Sequence, residues 1–427
     1  MIEVRQLPCG VRLVMEKLPD RQSASIGIWI GAGSARETAK NNGVSHFLEH
    51  MFFKGTKTRD QLQLAKDTDD LGCDMNAFTG KEATCFHIKA LSSVFPKAVD
   101  ILLDMLCNSL FDEEEIEKER GVILEEFNMV CDTPDDYIMD LLDAKVFWRT
   151  PLAKSVLGSR ANIRNLQRSD ILEYIDTWYT RDNIVVSVVG NFDEERLAQQ
   201  LEEKLSDFGA GSPSRKAASA ARGGRYLSLT KDINQTHLAL GIPTIALDSP
   251  EYYAQAVVCD VLGGSMSSRL FQNIRERKGL AYSVFSASES YACGGQFYIY
   301  AAVKPGTEAK VLQAIGEELS ALAEEGISEE QTQVVKQRLK SGFIFSLEST
   351  NSRMYRLGKN MLLLERTYTE EETMAEIDAV SREQVNAFAK RIADIRSYSG
   401  AAISPRSLDW EELWNGSQNL NGSAKRG

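Results

Sequence analysis

The chain has 427 residues, with a formal net charge of −12 at pH 7 and a pI near 5.1. Such an acidic balance argues against a general nucleic-acid-binding surface, because phosphate backbones select basic proteins. Hydrophobic residues make up 43% of the chain, as in ordinary globular proteins, and no apolar stretch approaches the length of a membrane span. The length is enough for two or more domains with substantial cores.

The N-terminus and the cysteines indicate a cytoplasmic protein. Charged residues interrupt positions 1–8, where a secretory signal needs an apolar run, and the Arg/Ser-rich bias of a transit peptide is missing. Seven cysteines are scattered along the chain, without a Cys-x-x-Cys pair. We therefore expect reduced thiols in a reducing compartment.

The first elements lead to one unusual stretch. Residues 4–17 alternate around a Pro-Cys-Gly turn and predict a β-hairpin, and residues 24–30 predict a second strand. Residues 43–53 then read Gly-Val-Ser-His-Phe-Leu-Glu-His-Met-Phe-Phe. If this stretch is helical, His46 and His50 lie one turn apart on the same face, with Glu49 within about 100° of them.

Two imidazoles one turn apart can bind one tetrahedral metal ion and leave room for a third protein ligand and a water. The neighbouring carboxylate of Glu49 can take a proton from that water. The alternative is that two core-facing histidines fall one turn apart by chance, although the chain has only four histidines. We favour the metal site, in which the order His-x-x-Glu-His reverses the commoner His-Glu-x-x-His.

Later segments offer candidates for a third ligand. Residues 83–90 alternate as a strand in which His87 is most simply a structural residue, with a ligand role as the alternative. A further helix opens at Asp112, with Glu115 three residues on in a capping pattern. On that helix Glu119 and Glu126 are seven residues apart and share a face. Composition alone does not say which glutamate of the helix turns inward.

The second half of the chain repeats the first weakly. Residues 209–225, rich in Ala, Gly and Ser, predict a linker between domains 1–208 and 226–414, and the polar residues 415–427 predict a disordered tail. Residues 237–243 resemble 24–30, and residues 253–262 resemble the histidine helix. Residues 296–303 resemble the strand after Asn76, and Ser328 opens a helix as Asp112 does. The second half has Val-Cys-Asp in place of the histidines, so only the first half can hold the metal.

Together these features resemble the inverzincin metallopeptidases of the insulysin, pitrilysin and mitochondrial processing peptidase family, from the first strand to about residue 400. The resemblance implies an α+β fold of two homologous domains, each an antiparallel-rich sheet flanked by helices, facing each other as a clam shell. It also implies one zinc per chain, bound by His46, His50 and a glutamate in the context Glu-Arg-x-Val-Ile-x-x-Glu. That context points to Glu126, with Glu125 as the alternative if the register slips by one.

The resemblance implies further roles around the zinc. Glu49 would act as general base and then as general acid, and Glu119 would support a ligand. A substrate peptide would add as a strand beside Asn76, Ala77, Phe78 and Thr79. From the second half, Arg275 and Tyr282 would reach the substrate carbonyl, where a fixed cation and a phenol suit a developing oxyanion.

The predicted function is a zinc-dependent endopeptidase that cleaves peptides, unfolded chains or processing substrates enclosed between two domains. A homodimer is expected, because the chain carries both the metal ligands and the Arg275/Tyr282 pair, with a paralogous partner subunit as the alternative. The competing function is a non-catalytic structural or peptide-binding subunit of a hetero-oligomer of the same family.

Overall fold

The computed structural model describes residues 2–211 and 224–424, with side chains to Ser417. Most of the predicted linker, 212–223, and the end of the predicted tail, 425–427, lie outside the described residues. The strands of the described chain are β1 (Ile2–Gln6), β2 (Arg12–Lys17), β3 (Ser23–Ile30), β4 (Asp74–Thr79), β5 (Thr84–Leu91), β6 (Ile184–Gly190), β7 (Tyr226–Thr230), β8 (Thr236–Thr244), β9 (Ala281–Tyr291), β10 (Gly294–Val303) and β11 (Ser399–Ser404).

The helices outnumber the strands. They are α1 (Val44–Phe52), α2 (Gln61–Asp70), α3 (Phe95–Asn108), α4 (Glu113–Asp132), α5 (Pro134–Val146), α6 (Arg160–Asn165), α7 (Arg168–Trp178), α8 (Glu194–Leu205), α9 (Tyr252–Gly263), α10 (Glu308–Glu325), α11 (Glu329–Ser346), α12 (Thr350–Leu364), α13 (Glu370–Ala379), α14 (Arg382–Arg391) and α15 (Trp410–Ala424). A π-helical segment, Phe271–Arg277, follows α9.

Two mixed but mainly antiparallel sheets organise these elements. The first has the order β1-β2-β6-β3-β5-β4, and the second has the order β7-β11-β8-β10-β9. In each sheet one pair is parallel, β2 with β6 and β7 with β11. The predicted α+β class, with antiparallel-rich sheets flanked by helices, is confirmed.

The weak internal repeat predicted from the sequence is also confirmed. Without the extra edge strand β1, the first sheet has the order β2-β6-β3-β5-β4. The second sheet, β7-β11-β8-β10-β9, has the same order when five is added to each strand number. Residues 24–30 and 237–243 lie in the corresponding strands β3 and β8, and α9 follows β8 as α1 follows β3. The two halves therefore share one topology.

The chain forms two compact units whose limits differ from the predicted domains. The first comprises Met1–Asn128, Lys154–Lys216 and Gly342–Glu370, and the second comprises Met129–Ala153, Ala217–Ser341 and Glu371–Gly427. Helix α5 therefore belongs with the second sheet, and α12 belongs with the first. Each sheet takes one helix from the other half of the sequence, so the midpoint of the chain does not by itself delimit the units.

Helix α12 covers one face of the first sheet. Odd-numbered residues of β3, β5 and β6 face it, together with Val14 of β2. The cluster that they form with α12 consists of Val14, Trp29, Cys85, Val185, Val189, Met354, Leu357, Met361 and Leu362. The Trp29 indole donates to Ser187 Oγ at 2.9 Å. Gly358 lets the helix approach closely, because a Cβ at Gly358 would lie 2.0 Å from Trp29 Nε1. The opposite face packs against α1 and α3.

Helix α5 covers the second sheet in the corresponding way. The side chains of Leu142 and Val146 pack against Gly241 of β8. The buried Gln296 amide on β10 donates to Asp143 Oδ1 at 2.6 Å. An amphipathic helix shows which of its faces is apolar but not which sheet covers that face, so the sequence pattern does not indicate that α5 packs on the second sheet.

The C-terminal segment is helical where a disordered tail was predicted. Helix α15 runs through Ala424. Trp410, Leu413 and Trp414 recur at the spacing of one helix face and are buried in the second unit, with Trp410 stacked on Tyr226 at 5.0 Å between ring centroids. This buried face anchors the start of a helix whose later residues are polar.

We expect Gly358→Ala to reduce the free energy of unfolding by about 1–3 kcal/mol, because the added methyl group forces α12 away from Trp29. Gly342→Ala is the matched control: Gly342 is also helical, but nothing lies within 4 Å of an added Cβ. This change should be neutral or stabilising by up to about 1 kcal/mol. Urea unfolding measures both, and equal effects would contradict the close packing of α12.

Candidate metal centre

Helix α1 is held at its N-terminus and along its apolar face. Gly43 has φ 105°, and a Cβ there would lie 2.9 Å from the Leu157 carbonyl oxygen, so glycine suits the position. The carboxylate of Glu37 accepts hydrogen bonds of 2.8 Å from the amides of Gly43 and Ser45, which satisfies unpaired helix donors and complements the helix dipole. The buried apolar residues are Val44, Phe47, Leu48, Met51 and Phe52. The polar face is thereby turned towards α4.

Helix α4 is fixed against α1 by one arginine. Arg120 donates to the carbonyl oxygens of Ile163 and Leu166. Its guanidinium carbon lies 5.7 Å from the centroid of the Phe47 ring on α1, a cation–π distance. These contacts of Arg120 hold α4 beside α1, with Glu119 and Glu126 of α4 directed towards the histidines.

The three predicted ligand residues converge. One donor atom from each of His46, His50 and Glu126 can be chosen so that all three atoms lie within 4.8 Å of one another. The Glu126 oxygens are 3.7 Å from His46 Nε2 and 3.4 Å from His50 Nε2. Charge-assisted hydrogen bonds are shorter, about 2.7–2.9 Å, whereas tetrahedral bonds of about 2.0–2.1 Å to zinc separate the ligand atoms by about 3.3 Å. The donor set and its spacing therefore fit a zinc ion.

The neighbouring glutamate does not face the histidines. Glu125 is exposed, and its carboxylate accepts a long hydrogen bond of 3.4 Å from the Asn128 amide. Successive residues on a helix point about 100° apart. The register of α4 therefore turns Glu126, and not Glu125, towards His46 and His50.

The protonation of the two histidines differs strongly. Burial, together with the nearby His50, lowers the pKa of His46 to about 4. Burial acts in the same direction on His50, but the carboxylates of Glu119 and Glu126 outweigh it and raise the pKa of His50 to about 9. The pKa of Glu126 is lowered, chiefly by His50. These shifts favour a neutral His46 and a protonated His50 beside an ionised Glu126, and a metal ion bound at His50 Nε2 would displace the proton there.

Glu119 orients His50. Its carboxylate is only 5% exposed, and Oε1 accepts a hydrogen bond from His50 Nδ1 at 2.9 Å, which leaves Nε2 for the metal. The other oxygen pairs with the ammonium group of Lys54. Burial would raise the pKa of Glu119, but His50 and Lys54 together lower it. The buried carboxylate is therefore ionised and has charged partners on both oxygens.

Lys54 was missed by the sequence analysis. The signal was its spacing, since positions 46, 50 and 54 succeed one another at intervals of four. Lys54 lies just beyond the last helical residue, Phe52, where the helical pattern no longer applies directly. Only the position of α4 shows that a buried carboxylate meets this side chain.

Glu49 lies beside the candidate ligands and has one side-chain hydrogen-bond partner among the described residues. Thr79, at the end of β4, donates a hydrogen bond from Oγ1 to Glu49 Oε2. Burial raises the pKa of Glu49, and the hydrogen bond from Thr79 opposes this rise. A carboxylate next to the metal ligands, with a raised pKa, suits proton transfer near neutral pH.

Strand β4 forms one edge of the first sheet, hydrogen-bonded to β5 on one side and to no strand of the described chain on the other. Asn76 and Phe78 face α12, and Phe78 packs edge-on against Trp29 and Tyr355 at 5.6 Å. Ala77 and Thr79 lie on the opposite face, where α1 packs. The strand thus combines an open backbone edge with a side chain that contacts Glu49.

His87 is a structural residue of β5. Its Nε2 hydrogen-bonds the Tyr355 hydroxyl at 2.9 Å, and burial lowers its pKa. It is not part of the metal-ligand group found in the described residues. Its contacts agree with the prediction that His87 is a structural residue, and not with the alternative that it is a metal ligand.

The predicted substrate contacts of the second half lie in the second unit. The Arg275 guanidinium carbon is 4.7 Å from the Phe271 ring centroid and 5.8 Å from that of Tyr282. Tyr282 is 72% exposed. Within this unit the structure brings the two side chains together on the surface, with Arg275 on the π-helical segment. Asp260, at the place of the histidines, pairs with Arg338 at 2.8 Å.

Comparison with known proteins places the chain in peptidase family M16. Residues 12–160 match the insulinase domain of that family, and residues 165–339 match its domain described as the peptidase M16 inactive domain. The chain is 39% identical to the uncharacterized zinc protease YmxG of Bacillus subtilis, over 93% of this chain and 96% of that protein. It is also 39% identical to the uncharacterized zinc protease ML0855 of Mycobacterium leprae, over 93% and 91% respectively. The chain therefore belongs to peptidase family M16, as the sequence motifs predicted.

Solved structures share the fold at low sequence identity. A peptidase M16 inactive domain from Pseudomonas fluorescens superposes with a TM-score of 0.88 at 18% identity, covering 96% of this chain and 99% of that one. A protease from Helicobacter pylori also gives 0.88, at 21% identity, covering 95% and 99%. None of the described helices is long and apolar enough to cross a membrane.

We expect Glu126→Gln to weaken zinc binding by at least about a hundred-fold, since it removes the charged third ligand. Glu125→Gln is the matched control, one residue away on the same helix, and should leave zinc affinity unchanged. Competition with a chelator measures both affinities. A larger loss in Glu125→Gln would show that the register of α4 differs from the one described.

We expect Lys54→Gln to weaken zinc binding by about 10–100-fold, because Glu119 loses the charge that holds it in place against His50. Lys57→Gln, at an exposed lysine three residues on, is the control and should bind zinc normally. Equal zinc affinities in the two variants, in chelator competition, would contradict this role.

Proposed function

We propose that this protein is a zinc-dependent endopeptidase. The observation that carries the proposal is the convergence of His46, His50 and Glu126 on one point, with the half-buried carboxylate of Glu49 beside it. The names of the bacterial relatives, uncharacterized zinc proteases, agree with it. Neutral imidazoles and one carboxylate are ligands that zinc commonly takes in hydrolytic enzymes.

The zinc would be bound by His46, His50 and Glu126 and would supply Lewis acidity towards the scissile carbonyl and the attacking water. Glu49 accepts the proton of that water at its free oxygen, Oε1, while Oε2 is held by Thr79. The same carboxyl group then delivers the proton to the leaving amine. Burial raises the pKa of Glu49, which strengthens the carboxylate as a base.

The substrate peptide is proposed to bind as an added strand along β4. The open edge of β4 offers backbone hydrogen-bonding groups, and the side chains of Asn76, Ala77, Phe78 and Thr79 alternate between its two faces. Backbone pairing of this kind accepts many sequences, provided that the segment is extended. This mode of binding favours peptides and unfolded chains over folded proteins.

Arg275 and Tyr282 are proposed to contact the substrate carbonyl from the second half of the sequence. A guanidinium and a phenol stabilise negative charge that develops on oxygen during hydrolysis. We further propose one zinc per chain, a catalytic half in residues 1–208, an inactive half in residues 226–414 and a cytoplasmic homodimer. A partner subunit of the same family and a non-catalytic peptide-binding role are the alternatives.

The test compares wild type with Glu49→Gln for zinc content and for hydrolysis of a quenched peptide library. We expect one zinc per chain in both proteins and cleavage reduced about 10²–10⁴-fold in Glu49→Gln, the usual contribution of a general base. Glu125→Gln is the control and should cleave as wild type does.

Bound zinc without cleavage by wild type would favour a subunit that needs a partner or that acts by binding peptide. Absence of zinc from wild type would overturn the proposal altogether. Full cleavage by Glu49→Gln would remove Glu49 from the mechanism while leaving the metal site in place.

A further inference from the structure

We propose that Thr79 is a positioning residue for Glu49, and that its side chain contributes to turnover separately from the binding of substrate along β4. This inference rests on the proposed function, in which Glu49 is the general base. It assigns to the hydroxyl of Thr79 a role other than contact with the peptide.

The geometry of the contact carries the proposal. Thr79 Oγ1 donates to Glu49 Oε2, and an ionised carboxylate can only accept, so the direction of the bond is fixed. One oxygen of Glu49 is therefore occupied, and a residue from another element restrains the position of the carboxylate. The remaining oxygen, Oε1, is the one free to receive a proton.

Thr79 is a stiff support for this purpose. It is β-branched, which restricts rotation about χ1, and its backbone is paired with Thr84 at the end of the β4–β5 ladder. This pairing is through the backbone and does not need the hydroxyl of Thr84, which donates to the Ala32 carbonyl at 3.0 Å. Glu49, in contrast, has three side-chain torsions and no second hydrogen-bonding partner among the described residues.

A structural explanation must be separated from this one, since the same bond ties α1 to the sheet. Helix α1 is already secured by Glu37 at its N-terminus and by the buried side chains of its apolar face. Loss of one partly exposed hydrogen bond should therefore cost little stability. Loss of the orientation of a reacting carboxylate should instead lower the rate of the chemical step.

The experiment compares Thr79→Val, Thr79→Ser and Thr84→Val in the full chain with zinc bound. Valine keeps the shape of threonine and removes the hydroxyl, and serine keeps the hydroxyl. Thr84→Val removes a hydroxyl from the paired residue, which donates to a carbonyl and not to Glu49. The measurements are kcat and KM on a quenched peptide, zinc affinity, thermal stability and a crystal structure of each variant.

We expect Thr79→Val to lower kcat by about 10–100-fold, the range for a hydrogen bond to a charged group, with KM and zinc affinity within about twofold of wild type. The unchanged KM follows because the backbone edge of β4 is unaltered. Thr79→Ser should recover most of kcat, and Thr84→Val should lose stability but keep kcat. In the Thr79→Val crystal structure the Glu49 carboxylate should adopt a different or mixed orientation.

An unchanged kcat in Thr79→Val, or a Glu49 carboxylate that keeps its orientation there, would overturn the proposal. A rise in KM with kcat intact would also overturn it, because Thr79 would then act only through substrate binding. If wild type cleaves no peptide, the proposed function fails, and the orientation of Glu49 in the crystal structures still decides whether Thr79 positions it.

Discussion

The candidate site depends on the burial of one face of a nine-residue helix. Phe47, Leu48, Met51 and Phe52 of α1 are almost fully buried, and Phe52 packs edge-on against Phe86 of β5 with ring centroids 4.8 Å apart. Close packing of this kind leaves the helix a single rotation about its axis. His46, Glu49 and His50 consequently point in directions that the apolar residues determine, and the chemistry of the site follows from the packing of the core.

The charged groups around the histidines are joined by ion pairs, and without these pairs their burial would be unfavourable. A buried carboxylate such as Glu119 is costly unless its oxygens are paired, and here His50 and Lys54 pair both. The arrangement holds the His50 ring by Nδ1 and directs Nε2 to the point shared with His46 and Glu126. Glu49 is not part of this set and is hydrogen-bonded to Thr79 of the edge strand. The proposed base and the proposed ligands are therefore held by different residues.

The two sheets share a topology but not a site. Strands β2 to β6 and β7 to β11 follow the same order in their sheets. Helix α9 follows β8 in the second half as α1 follows β3 in the first. In α9 the corresponding residues are Val258, Cys259 and Asp260, and Asp260 pairs with Arg338. The exchange of α5 and α12 is also reciprocal, since each helix belongs to the unit whose sheet comes mainly from the other half of the sequence. A helix inserted from the other half makes each unit dependent on both parts of the sequence for its core.

The sequence by itself determined the residues whose relation is local. His46, Glu49 and His50 are within one turn of helix, and period and composition suffice to predict such a relation. It also determined the internal repeat, because recurring segments are visible along the chain, whereas the α+β class was implied by the family resemblance. The family resemblance added Glu126 and Glu119, which no spacing rule would have singled out among the glutamates of α4.

Only the tertiary structure decided relations between distant segments. Whether Glu126 or Glu125 faces the histidines depends on how α4 is rotated against α1, and the contacts of Arg120 are among those that hold this rotation. The pairing of Lys54 with Glu119 and of Thr79 with Glu49, and the placement of α5 and α12, likewise join residues that are far apart in sequence. An apolar face or a polar side chain indicates that a partner exists, but the identity of that partner is a property of the packed molecule.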